Sequence, residues 1–173
     1  MISIIVACDS NGGVGKDNAI PWLGKHPEDL KFFADKTKNN VVVMGNNTWL
    51  SLPPKSRPLP NRLNAVVTSS YNEEYHTGAS TLILPHPTAN IAARIESLDI
   101  IHEDKEIFVI GGPTLWNETI NIVDKIYVTA IPGTYDCDVF FLDPLQHGFE
   151  RTQILPLCQD CNEPIDVYVY ERR

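Results

Sequence analysis

Val41–Met44 reads VVVM and Ile107–Ile110 reads IFVI, two runs with no polar residue on either side of the pleat. A strand with one wet face alternates apolar and polar residues, so runs like these are covered on both faces, as in a parallel sheet. Further runs of strand length and β-branched content lie at Ile2–Ala7, Asn64–Thr68, Thr81–Leu84 and Ile126–Ile131. Helical character separates them. Pro27 opens one segment in which Leu30, Phe33, Ala34 and Thr37 share the inward face, with Glu28 and Asp29 at the positive N-terminal end. Thr88 is placed to cap a second, with Ile91, Ile95 and Leu98 inward, and Gly112–Pro113 opens a third. Strand and helix alternating at this spacing predict an α/β fold with right-handed crossovers.

The tail departs from that rhythm. Phe149–Leu155 and Asp166–Glu171 read as two strands joined by the turn-rich stretch Pro156 to Pro164, an antiparallel hairpin at the sheet edge. No repeat or interdomain linker interrupts the 173 residues, and Pro53–Pro60 is a loop within the domain, so one domain is expected. The net charge of −8 argues against nucleic-acid and membrane-surface partners. No apolar run approaches the about 20 residues of a membrane helix. The apolar start, MISIIVAC, is stopped by Asp9 without a basic flank or cleavage pattern and reads as a buried strand. Four cysteines are too few for a disulfide scaffold, and Cys158-Gln-Asp-Cys161 is a lone C-x-x-C without a second ligand pair. A cytoplasmic protein is expected.

Ligands of open α/β sheets bind beyond the carboxyl ends of the strands. Those ends carry Ala7-Cys8-Asp9, Gly45-Asn46-Asn47-Thr48, Thr68-Ser69-Ser70 and Gly111-Gly112. Small and hydroxyl residues there suit phosphate oxygens, although neither G-x-G-x-x-G nor a P-loop is spelled. Gly111-Gly112 is therefore either a tight strand-to-helix turn or a pyrophosphate cradle. Gly12–Trp22 reads as a long connection or a lid, with Trp22 bordering a pocket or the core. Asp29, at the border of the apolar helix face, either serves the helix dipole or makes two parallel hydrogen bonds to an amidine-like ring edge. The five histidines are scattered, and no nucleophile–base set suggests itself.

Five pieces in order then resemble dihydrofolate reductase: G-x-x-N-A-I-P-W (Gly15–Trp22), P-E-D-L-K-x-F (Pro27–Phe33), V-V-M-G-x-x-T-W (Val42–Trp49), R-P-L-P-x-R-x-N (Arg57–Asn64) and V-I-G-G (Val109–Gly112). The resemblance spans essentially the whole chain. It implies a central, mostly parallel twisted sheet flanked by helices with a C-terminal antiparallel hairpin. The implied reaction is hydride transfer from NADPH to C6 of 7,8-dihydrofolate with protonation at N5, in a monomer that also binds antifolates. By resemblance, Asp29, Trp22 and Thr129 are the catalytic set. Substrate contacts fall to Ile5, Ala7, Phe33, Leu52, Leu59, Arg62 and Ile110, with Arg62 gripping the glutamate carboxylate. Cofactor contacts fall to Ala7, Val14, Asn46, Asn47, Thr48, Thr68, Ser69, Gly111, Gly112, Thr114, Leu115 and Trp116. The glycine pair would hold a cis peptide, and Asp138 would hydrogen-bond the loop over the nicotinamide.

The chain also departs from the family. Asn46 and Thr114 stand where basic residues often occur, Trp116 replaces a usual tyrosine, and Asn61 replaces a frequent turn glycine. A fold-sharing pterin or pyrimidine reductase would keep the glycine pair but need not keep Asp29 with Arg62. A non-catalytic folate- or nucleotide-binding protein is the reading from a different class, marked by dihydrofolate binding without NADPH oxidation.

Overall fold

The computed structural model describes residues 1–70, 80–85, 90–158 and 162–173. Its strands are β1 (Ile2–Cys8), β2 (Gly13–Gly15), β3 (Val41–Gly45), β4 (Leu63–Thr68), β5 (Thr81–Pro85), β6 (Ile107–Gly111), β7 (Lys125–Ala130), β8 (Val139–Phe140), β9 (Phe149–Cys158) and β10 (Ile165–Arg172). The helices are α1 (Pro27–Thr37), α2 (Asn46–Ser51), α3 (Ile91–Ile101) and α4 (Pro113–Thr119). Eight strands form one sheet in the order β5-β4-β3-β6-β1-β7-β10-β9. The six from β5 to β7 run parallel, while β10 is antiparallel to both β7 and β9.

Both faces of the parallel part are covered, as the apolar runs require. Ile4, Val6, Val41 and Val43 pack toward α3 and α4 with Ile91, Ile95, Leu115 and Trp116. Their neighbours Ile5, Val42 and Met44 pack the other way, with Phe32 and Phe33 of α1 and Trp49 of α2. Alternation along the pleat sends successive residues into two separate cores, each apolar.

The expected strands and the tail hairpin are all present, with β9 three residues longer than its reading. Cys158 at its end is disulfide-bonded, and Cys161 lies outside the described residues. Three expectations need correction. Leu30 is 44% exposed rather than inward, and Ala34 is exposed too. The inward stripe of α1 is Asp29, Phe32, Phe33, Lys36 and Thr37, one step around the helix from the apolar count. The cap of α3 is Asn90, whose side chain accepts from Ala93 N at 3.1 Å, while Thr88 lies outside the described residues. The Gly12–Trp22 segment is also not wholly loop, because β2 pairs with β8 in a separate ribbon. Among the described residues no helix is long and apolar enough to cross a membrane.

Candidate functional site

The central strand β1 puts Ala7 beside Thr129 of β7, and Met44 of β3 lies opposite Gly111 of β6. The ends of these four strands meet the first turn of α1 on one side and the starts of α2 and α4 on the other. Asp29 sits in that first turn, partly buried, and takes a hydrogen bond from the Thr129 hydroxyl. Burial pushes its carboxyl above the ordinary value, and the Thr129 bond and the His26 charge only partly offset this. Thr129 is itself 2% exposed. Trp22, also 2% exposed, rests edge-on against Tyr135 with centroids 5.3 Å apart. Its Nε1 has no hydrogen-bond partner among the described residues. Indole N–H groups usually find an acceptor when buried, so this one is suited to polar company from a ligand.

Ile5, Phe33, Leu52, Leu59 and Ile110 gather on the α1 side of the sheet. At the far end of α1, Arg62 is held by its own chain. Its Nε donates to Thr37 Oγ1 at 2.7 Å, Nη2 to Ala34 O at 3.0 Å and Nη1 to Pro60 O, while the guanidinium lies 5.8 Å from the Phe33 ring centre. Three of five N–H groups are used, leaving one on each terminal nitrogen, the fork that matches a carboxylate. Asn64 holds the loop carrying Leu59 and Arg62: it accepts from Leu59 N at 2.9 Å and donates to Leu59 O at 3.0 Å and Arg62 O at 3.2 Å. Asn61 takes the left-handed conformation, φ 56°, that a turn glycine would.

On the other side, Gly111–Gly112 is a cis peptide. A Cβ on Gly111 would meet Thr48 Oγ1 at 2.9 Å, and one on Gly45 would meet Gly111 O at 3.7 Å. The three glycines leave backbone uncovered around one threonine hydroxyl. Asn46, Asn47, Thr68, Ser69 and Thr114 surround the strand ends with neutral polar groups, and no acidic residue occurs within 45–48, 68–70 or 111–114. That donor set fits the oxygens of a nucleotide pyrophosphate. Thr68 is committed locally, donating to Ser70 O at 2.9 Å, while Ser69, Asn47 and Thr114 are exposed. Leu115 and Trp116 are 4% exposed core residues; Trp116 packs edge-on against Phe141 at 5.0 Å, and its Nε1 is a second buried donor without a partner among the described residues.

Val14 lies in β2, whose ribbon is tied to the segment before β8. Asp138 N donates to Gly15 O at 3.0 Å, and Asp138 Oδ2 accepts from Asp17 N at 3.1 Å. Residues that sequence reading missed are those holding others in place: Thr37 and Asn64 around Arg62, and Tyr135 against Trp22. Thr37 was signalled by a hydroxyl on an inward helix stripe, and Asn64 by its place in the R-P-L-P-x-R-x-N segment. Nothing in the sequence pointed to Tyr135.

Residues 1–172 match a family model described as dihydrofolate reductase. A bifunctional dihydrofolate reductase-thymidylate synthase of Daucus carota is 36% identical over 146 residues, covering 79% of this chain and 27% of that protein. The chain thus spans about a quarter of the length of such plant relatives. The dihydrofolate reductase of Bacillus subtilis is 36% identical over 141 residues, 82% of this chain and 75% of that one. Among solved structures, the Enterococcus faecalis dihydrofolate reductase complexed with NADP(H) and RAB-propyl superposes with a TM-score of 0.76 at 30% identity, covering 100% of this chain and 96% of that one.

Proposed function

Because this chain belongs to the dihydrofolate reductase family, we infer that it reduces 7,8-dihydrofolate to tetrahydrofolate with NADPH. The observation that carries the reading is Asp29, a partly buried carboxylate held by Thr129 at the strand ends, with the buried Trp22 on the approach to its helix. The carboxylate is placed to take two N–H groups from the 2-amino and N3 edge of the pterin and to favour its cationic form. The Thr129 hydroxyl fixes which way the carboxylate turns. Trp22 closes that corner and directs its N–H toward the water that delivers the proton to N5. Phe33, Leu52 and Leu59 supply the apolar walls for the ring system, with Ile5 and Ile110 beneath, and Arg62 takes the glutamate carboxylate.

Gly111, Gly112 and Thr48 would hold the NADPH pyrophosphate, with Asn47, Thr68, Thr114 and the backbone of Leu115 around it; Asn46 would lie beside the adenosine phosphates and Ser69 would meet the 2′-phosphate, while Ala7, Val14 and Trp116 would border the nicotinamide. When bound, NADPH supplies the hydride that reaches C6. The loop from Gly12 to Trp22, tied by Asp138, excludes water and holds the reacting carbons in line. Pterin-site antifolates would compete at Asp29. We further propose that the chain acts as a cytoplasmic monomer without nucleic-acid or membrane partners, the charge of −8 supporting the exclusion of nucleic acids.

Absorbance at 340 nm with dihydrofolate and either NADPH or NADH tests the reading. Signal loss with NADPH is expected, and no consumption with either cofactor from folded protein would refute reduction. Two variants refine it. Arg62→Leu should raise KM for dihydrofolate about 10- to 100-fold, the worth of a charge-assisted pair, with kcat little changed. A tail-truncated pteridine substrate should be indifferent to the change, and equal sensitivity would remove the assigned role. Asn46→Arg should tighten NADPH about tenfold and leave NADH unchanged, because a guanidinium at the position beside the adenosine phosphates pairs with the 2′-phosphate that NADH lacks. Titration by tryptophan fluorescence reads both affinities, and a parallel gain for NADH would place residue 46 elsewhere.

A further inference from the structure

Asp9 follows β1 and is only 6% exposed, yet it carries a carboxylate that pairs with no cation among the described residues. Three of its four partners are backbone N–H groups. Oδ1 accepts from Asn11 N at 2.9 Å and Gly13 N at 2.8 Å; Oδ2 accepts from Tyr135 N at 2.9 Å and from the Cys137 thiol at 3.7 Å. One carboxylate thus joins the start of the Gly12–Trp22 loop to a segment more than 120 residues later. Burial alone would raise its pKa, but the N–H groups of Tyr135, Gly13 and Asn11 outweigh that and hold it below the ordinary carboxylate value.

The join leads into the site along two paths. Through Gly13 it fixes the ribbon carrying Val14: Asp9 N donates to Gly13 O at 2.8 Å and Phe141 N to Gly12 O at 2.9 Å. Fit here is tight, since a Cβ on Gly13 would meet Cys137 Cβ at 2.5 Å. Through Tyr135 it reaches the catalytic corner. The Tyr135 ring stands against Trp22 at 5.3 Å, its hydroxyl lies 3.4 Å from His26 Nε2, and Lys25 covers the ring at 4.9 Å. Trp22 and His26 both precede Asp29, on the approach to α1.

We propose that Asp9 is a positioning residue for hydride transfer: by holding the backbone of Gly13 and Tyr135 together, it sets the closing loop and seats Trp22 beside Asp29. The assignment rests on the reductase reading but names a residue outside its catalytic and binding sets. All four slots on Asp9 are filled by donors, so asparagine, with one acceptor oxygen, cannot replace it. With its oxygen toward Asn11 and Gly13 its amide nitrogen would face the Tyr135 N–H, and with its oxygen toward Tyr135 it would face the N–H groups of Asn11 and Gly13, so either orientation loses a backbone donor.

Asp9→Asn and Tyr135→Leu test this in the full chain. Both should lower the single-turnover rate of hydride transfer roughly tenfold to hundredfold, the range that a misplacement of about 1 Å costs, with KM for dihydrofolate within about threefold. Asp9→Asn should also speed amide hydrogen exchange at residues 10–18 and 133–138 while the sheet keeps its protection. A hydride-transfer rate within about twofold of the parent in either folded variant would overturn the proposal. So would a loss expressed equally in KM. If Asp9→Asn does not fold, Tyr135→Leu decides, since it removes the ring against Trp22 and leaves the carboxylate's partners intact. Hydrogen exchange separates this idea from the reductase reading: faster exchange in Asp9→Asn with an inactive parent would spare the loop anchor and refute the reaction.

Discussion

Asp29→Asn is expected to cut turnover by about 10²- to 10³-fold while making the protein more stable at neutral pH. The two effects share one cause. Burial raises the pKa of Asp29 above its unfolded value, so the folded state holds this proton more tightly than the unfolded chain does. Below the unfolded carboxylate range the group is neutral in both states and costs nothing. As pH rises through the raised value, the folded state must bury a charge that the unfolded chain keeps in water, and the cost is complete at neutral pH. Asparagine has no charge to bury and still accepts from the Thr129 hydroxyl. Thermal unfolding of parent and variant should therefore diverge at neutral pH, the variant melting higher, and converge toward pH 4. A variant that melts lower at neutral pH, with turnover intact, would mean that Asp29 serves the helix dipole. Methotrexate-like ligands should lose affinity for the variant as well.

Gly111→Ala is the second large effect, and it separates binding from folding. Gly111 has φ 151°, where side chains are rarely accommodated, and a Cβ there would approach Thr48 Oγ1 to 2.9 Å. The strain is worth about 1–3 kcal/mol, and at 2–4 °C per kcal/mol for a chain this size the melting point should fall by roughly 2–12 °C. NADPH affinity should fall by about 10²-fold, or nearly 3 kcal/mol, because the methyl fills the cradle assigned to the pyrophosphate. Adding Thr48→Ala removes the hydroxyl in the way and should return part of the melting temperature without returning affinity. Recovery of both would show that the hollow is a packing accident; calorimetry and cofactor titration on the parent and the two variants decide it.

How far the sequence carries depends on what each residue does for its neighbours. VVVM and IFVI announced themselves because burial on two faces leaves no position for a polar residue. Asp29, Arg62 and the glycine pair were legible because the resemblance is carried by the segments around them. The six residues of α2 and the short pairing of β2 with β8 fall below any period a pattern can show. Leu30 misled for a different reason: the inward stripe of α1 begins with Asp29 and ends with Lys36 and Thr37, so counting apolar residues turns the helix by one position. Asp9 looked like any acid after a strand. Its meaning lies in backbone N–H groups, which every sequence has everywhere.

The place of β1 in the sheet has a consequence for how the chain comes off the ribosome. Its two neighbours are β6 and β7, and Ile2 is in register with Ile107. At about 5–20 residues per second, the first strand is synthesised roughly 5–20 s before either partner exists. β3 and β4 can pair with each other in that interval, but β1 keeps two bare edges and an apolar sequence exposed. Nascent chains arrested before residue 107 should therefore clump or occupy a chaperone, whereas arrest far enough past residue 130 for β7 to clear the ribosome lets the first strand slide between its neighbours and disappear from view.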